Sequence, residues 1–94
     1  MNTFTEQINQ AKQLSEMWTT FVDGHLPTQR QFLVWLTMYD RTIIEKAIRR
    51  MGVWSQRFPG KPDDEYVRYA SGIMAGEKRK ITGASYDGRE VSRG

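Results

Sequence analysis

The segment "DRTIIEKAIRRMGVWSQRF", residues 40–58, does most to limit what this chain can fold into. Ile43, Ile44, Ala47, Ile48 and Met51 recur at three- and four-residue steps, with Trp54 closing the series. Arg41, Glu45, Lys46, Arg49 and Arg50 fall outside that stripe. This is the period of an α-helix with one apolar face. Such a face is stable only when other elements cover it, so the rest of the chain must supply matching apolar surface. Asp40 suits the N-cap, and Glu45 precedes Arg49 by one turn, the favourable order for an ion pair. Gly52 is expected to weaken or end the helix, which would leave Arg49 and Arg50 in its last turn.

Three further segments have the same period. Residues 4–22 repeat Phe4, Ile8, Ala11, Met17 or Trp18, and Phe21, with Thr3 and Glu6 spaced as a capping box. "DGHLP" then interrupts, since Gly24 can close a helix and Pro27 resists continuing it. Thr28 and Gln31 form a second candidate box ahead of Phe32, Leu33, Trp35, Leu36 and Tyr39, so apolar a helix that a central position is expected. After the "FPGKPDD" loop, Asp63 or Asp64 caps a helix whose buried side is expected to be Tyr66, Ala70, Ile73 and Met74. Gly76 is read as the point where this helix frays and "EKRK" leaves the body. The fold class is therefore all-α: a small bundle of about four short helices, one domain over residues 1–80, and a flexible basic C-terminal tail over 81–94.

Size decides how large a core this fold can have. Ninety-four residues leave room for one thin core, and eleven aromatics compensate for a hydrophobic fraction of only 38%. Trp18, Trp35 and Trp54 each lie on an apolar stripe and are assigned to that core. The absence of cysteine excludes a disulfide framework, a thiolate metal site and a cysteine nucleophile. The first twenty residues contain no basic n-region and no apolar run, so no secretory leader is expected and a cytoplasmic location is.

Charge is uneven along the chain. Residues 1–40 carry Lys12 and Arg30 against Glu6, Glu16, Asp23 and Asp40, whereas residues 41–94 carry twelve Lys or Arg against seven Asp or Glu. The candidate partner-binding residues are Arg49, Arg50, Arg57, Lys61, Arg68, Tyr69, Lys78, Arg79 and Lys80. Cations in last turns also complement the helix dipole, which accounts for "IRRM" and "EKRK" without any ligand. An antiparallel pair of helices would place Arg49, Arg50, Arg57 and Lys61 near one pole and "KRK" near the other, giving a stripe rather than one patch. Tyr66 and Tyr69 are about 300° apart on a helix and so cannot be equally buried; core packing with the hydroxyl at the rim is the first expectation for them, and stacking of a base by the one beside Arg68 is the alternative.

Catalysis has little footing, and no enzymatic role, cofactor or metal is expected. His25 stands alone in a Gly-His-Leu-Pro turn, where a solvated turn residue rather than a base is expected, with Asp23 placed to polarise it and no recognisable nucleophile. Asp63, Asp64 and Glu65 are where a helix dipole favours acids and lack metal-ligand spacing.

The order "LPTQRQFLVWL", "YDRTIIEKAIRRM", a loop, then "DDEYVRYASGIM" resembles the C-terminal domain of DnaD-like replication proteins, over roughly residues 26–78. Tyr69 and Ile73 match the family's Tyr-x-x-x-Ile spacing; alternatively Tyr66 is the family tyrosine and Ala70 takes the isoleucine's place. Glu77 stands where the family commonly has a tryptophan. The resemblance implies binding of single- and double-stranded DNA through Tyr69, Ile73 and Lys78-Arg79-Lys80. With the basic C-terminal half, it leads to the expectation of a small non-enzymatic DNA-associated protein of phage or mobile-element type, an adaptor in replication. The alternative is a protein-binding inhibitor or adaptor, such as an anti-defence protein docking on a host nuclease or nucleoprotein. A homodimer through residues 32–39 is a third expectation.

Overall fold

The computed structural model describes residues 3–84, with side chains from 4 to 81. It contains four helices and, among the described residues, no strand: α1 (Thr3–Phe21), α2 (Gln29–Met38), α3 (Arg41–Arg57) and α4 (Asp63–Ala84). The all-α expectation holds. The part of the expected tail at residues 85–94 lies outside the described residues.

Helix starts follow local chemistry. The Thr28 hydroxyl accepts from the Gln31 amide at 3.2 Å, as the sequence suggests. Asp40 occupies the N-cap of α3 through its backbone alone, its carbonyl accepting from Ile43 and Ile44. Asp63 lies inside the first turn of α4, whose early carbonyl acceptor is Pro62.

The central helix is α3, not α2. It packs against α1, α2 and α4, and Ile43, Ile44, Ala47, Ile48, Met51, Gly52, Trp54 and Ser55 are buried along it. On α2 only Phe32 and Trp35 are buried, while Val34 and Met38 face outward. Leu33, Leu36 and Tyr39 are partly buried at the edge of the core rather than inside it. On α1 the buried series is Ala11, Leu14 and Trp18, continued by Val22; Phe4 and Phe21, assigned to the stripe by spacing, are exposed. The helix is rotated so that Leu14 points inward instead.

Trp18, Phe32 and Trp35 form the centre of the core. The two indoles stack at 6.1 Å, and Phe32 stands edge-on to both. Each buried indole N–H has an acceptor on a different element: Trp18 donates to the His25 carbonyl at 2.8 Å, and Trp35 to the Ser71 hydroxyl at 3.0 Å. A second aromatic group joins α3 to α4, with Tyr66 edge-on to Trp54 and its hydroxyl donating to the Asp23 carbonyl at 3.2 Å. The Asp23 amide in turn donates to Ser55 Oγ at 3.0 Å, so the end of α1 is held by both α3 and α4. Gly24 has φ +121°, and a side chain there would collide with the Tyr66 hydroxyl.

Gly52 does not end α3. It is buried beneath the end of α1, where an added Cβ would meet the Phe21 carbonyl oxygen at 2.8 Å. Lacking a side chain, it lets the two backbones approach, and α3 continues to Arg57. Gly76 does not end α4 either, which runs on to Ala84.

Two glycine-to-alanine variants test this packing because helix propensity alone favours both. Gly72 has open space around it, so Gly72→Ala is expected to stabilise the fold by about 0.5–1 kcal/mol. Gly52→Ala should instead cost about 1–3 kcal/mol, because the obstruction is backbone and cannot swing aside. Chemical denaturation of both variants beside the parent decides it; equal gains would show that α1 does not approach α3 at Gly52.

Candidate functional site

On α3, Lys46, Arg50, Val53 and Arg57 follow one another at helical spacing and are exposed on one face. Opposite them α4 presents Tyr69, Ile73 and, buried, Glu77. The helices run antiparallel, since Trp54 meets Tyr66 and Tyr69 while the earlier Lys46 and Arg50 meet the later Glu77. The seam therefore has an aromatic end near the α3–α4 loop and a charged end near the C-terminal part of α4.

At the aromatic end the Tyr69 ring stacks on Trp54, 4.9 Å between centroids with planes 20° apart. Trp54 is buried, whereas Tyr69 is 47% exposed. Phe58 flanks Trp54 at 6.2 Å, and the Lys61 ammonium sits 5.9 Å from the Phe58 centroid. Arg50, Val53, Trp54, Arg57, Phe58 and Tyr69 line a shallow groove of about 250 Å³. Tyr69 also borders the adjoining depression along α4, with Glu65, Arg68, Gly72 and Ile73. Arg68 is paired with Asp64 at 3.4 Å on the exposed surface, a weak contact that leaves its guanidinium free to exchange partners.

At the charged end the Glu77 side chain is only 7% exposed. Its carboxylate lies 3.5 Å from Lys46 Nζ, 3.5 Å from Arg50 and 3.4 Å from Lys80 Nζ. Burial alone would raise the carboxyl's pKa, but Lys46, then Lys80 by charge and hydrogen bond, then Arg50 outweigh it and hold it below the usual carboxylate range.

Of the nine residues singled out by sequence, Arg50, Arg57, Arg68 and Tyr69 converge on these adjoining grooves. Lys80 joins them through Glu77, and Lys61 through Phe58. Arg49 is exposed on α3, turned one step away from the seam. Lys78 lies on the other side of α4: it donates to the Met38 carbonyl at 3.2 Å and sits 5.6 Å from the Tyr39 centroid. Arg79 is exposed beside it.

The two-pole arrangement expected of the cations is corrected. Because α3 extends past Gly52 to Arg57, Arg49 and Arg50 are in mid-helix, and Arg50 shares an anion with Lys80. The dipole account of both basic runs falls with it: Arg57 is the basic residue in the last turn of α3, and the last turn of α4 has none. His25 is likewise not a solvated turn residue. It is half-buried against the edge of Tyr66, and its Nδ1 lies 3.5 Å from the Asp63 carboxylate. Its role in the fold is to close the α1–α2 loop onto α4. Among the described residues no group of His, Asp and Glu could hold a metal ion, and no helix is long and apolar enough to cross a membrane.

Sequence reasoning missed Lys46 and Glu77. The signal for Glu77 is present: the stripe Tyr66, Ala70, Met74 reaches it at the next three-residue step. Reading Gly76 as the helix end cut the series one residue short.

No family model, curated protein or solved structure matches this chain. The likeness to DnaD-like domains rests on its sequence motifs alone.

The depressed carboxyl of Glu77 makes a prediction for acid stability. A group whose folded pKa lies below its unfolded value contributes stability that is present above the unfolded value and disappears as pH falls through the folded one. The parent should therefore lose stability on acidification below about pH 4.5, more steeply than Glu77→Gln does. Denaturation midpoints of the two proteins across that range measure the difference; parallel pH profiles would remove Glu77 from the account.

Proposed function

We propose that the α3–α4 seam binds single-stranded nucleic acid with little sequence preference, and that the chain is a small non-enzymatic adaptor in a nucleic-acid-processing complex. The observation that carries this reading is Tyr69. One face of its ring is seated on Trp54, the residue is 47% exposed, and Arg50, Arg57 and Arg68 border it against a single lining acid, Glu65. An aromatic platform within a positive groove is the combination that holds unpaired bases while tracking their phosphates. The stack on Trp54 already orders the ring, so little side-chain entropy remains to be lost on binding. Duplex bases are stacked on one another and would have to be unstacked to reach it, which favours the single strand. The DnaD-like order of motifs supports DNA replication in a phage or mobile element as the setting.

The exposed Val53 and Phe58 at the groove's border favour a second reading, a protein partner docked on the same face as an inhibitor or adaptor would be. The two readings differ in what the surface recognises. Phosphate binding is steeply salt-dependent, whereas apolar docking is not.

Fluorescently labelled single-stranded and duplex oligonucleotides titrated at low salt give the test. Single strands should bind more tightly, and added salt should weaken them strongly. Tyr69→Ala should cost about 1–3 kcal/mol of single-strand affinity, with Tyr69→Phe close to the parent. Absence of binding at concentrations on the order of tens of micromolar at low salt would overturn the nucleic-acid reading. One stoichiometric protein recovered from nuclease-treated host lysate, competing for the same face, would then support the second.

A further inference from the structure

The charged end of the seam has a geometry of which the stacking platform uses only Arg50. Three cations from two helices converge on one nearly buried carboxylate: Lys46 and Arg50 from α3, and Lys80 from α4. All three are more than half exposed while Glu77 is not, so the anion lies beneath and the cations rim it. Glu45, the acid next to Lys46, is engaged by Arg41 at 2.7 Å and does not join the cluster. One carboxylate compensates only one of the three positive charges. Each cation also has more donors than Glu77 uses, since an ammonium carries three N–H groups and a guanidinium five.

We propose that Lys46, Arg50 and Lys80, gathered by Glu77, form a site for a single phosphate group, with Glu77 as the positioning residue. Without an anion beneath them the three cations repel one another and their long side chains spread. With it, their outward N–H groups are drawn together over a few ångströms, the spacing that the oxygens of one phosphate can bridge. Glu77 thus acts against the sign of its own charge. It lowers the total positive potential of the seam but concentrates what remains at one point. The site itself stands on this geometry; its use for a backbone phosphate rests on the reading of the seam as a nucleic-acid surface. A strand stacked on Tyr69 would continue along the seam and bring a phosphate to this end.

Two probes separate the site from that reading. Inorganic phosphate added to the isotope-labelled full chain, against sodium chloride at matched ionic strength, should shift the side-chain N–H signals of Lys46, Arg50 and Lys80 together and saturably. Shifts that are absent, or that chloride reproduces, overturn the site. The second probe is the salt dependence of binding to a single-stranded oligothymidylate. The variant K46Q/R50Q/K80Q/E77Q removes the cluster without leaving a buried charge unpaired, and circular dichroism checks its fold. If the three cations share one phosphate, the slope of log affinity against log salt should fall by about 0.7. A fall of about 2, the value for three separate phosphates, or no fall, overturns the shared site while leaving the nucleic-acid reading in place. Saturable phosphate binding by a chain that binds no oligonucleotide supports the site and overturns the reading instead. Glu77→Gln alone tests the positioning role by sign: it makes the chain more positive, yet phosphate and oligonucleotide should both bind more weakly. Tighter binding would show that Glu77 merely opposes anions.

Discussion

The stack of Trp18 on Trp35 is the constraint from which the rest of the bundle follows. Both indoles are almost wholly buried, and each brings an N–H into the core that must find an acceptor or cost about 1–3 kcal/mol. The acceptors lie on different elements, the His25 carbonyl in the α1–α2 loop and the Ser71 hydroxyl on α4. One aromatic contact therefore joins α1 to α2, and its two polar ends fix the loop and the last helix. A thin core gains from this economy, because few side chains are available to specify the relative placement of four helices.

From that frame the position of the seam follows. Gly52 lets the end of α1 lie directly on α3, and Asp23, just beyond α1, is gripped by Ser55 and Tyr66. Tyr66 is thereby locked inward, edge-on to Trp54, and Tyr69 on the next turn is brought flat against the same indole. The exposed platform is thus a by-product of the buried tyrosine's anchoring. The proposed contact surface stands on rigid helices rather than loops, which keeps its aromatic and cationic groups in fixed relation.

Much of this was legible in the sequence, and the misreadings share a cause. The four helices, the Thr28 cap, the burial of all three tryptophans and the inward series Tyr66, Ala70, Met74 follow from periodicity and capping chemistry, whereas Ile73, expected with that series, is only half-buried at the seam. Gly52 and Gly76 were misread because a glycine's local propensity argues for a helix end, whereas a close backbone neighbour or a stabilising partner beyond it argues for continuation. Phe4 and Phe21 were misplaced because spacing gives the period of a stripe but not its rotation about the helix axis. Nothing local to His25 announces that Tyr66 and Asp63, about forty residues on, close over it.

By itself, then, the sequence determined the helical class, the number of helices and which face of α3 turns inward, since these depend on residues within a turn or two of one another. Only the tertiary structure decided that α3 is central, that Arg50 and Lys80 meet across two helices, and that Glu77 lies buried between them. Those facts depend on how far each helix continues and how it is rotated against its neighbours. Both are set by packing between residues distant in the chain, above all the approach at Gly52 and the anchoring of the two buried indoles.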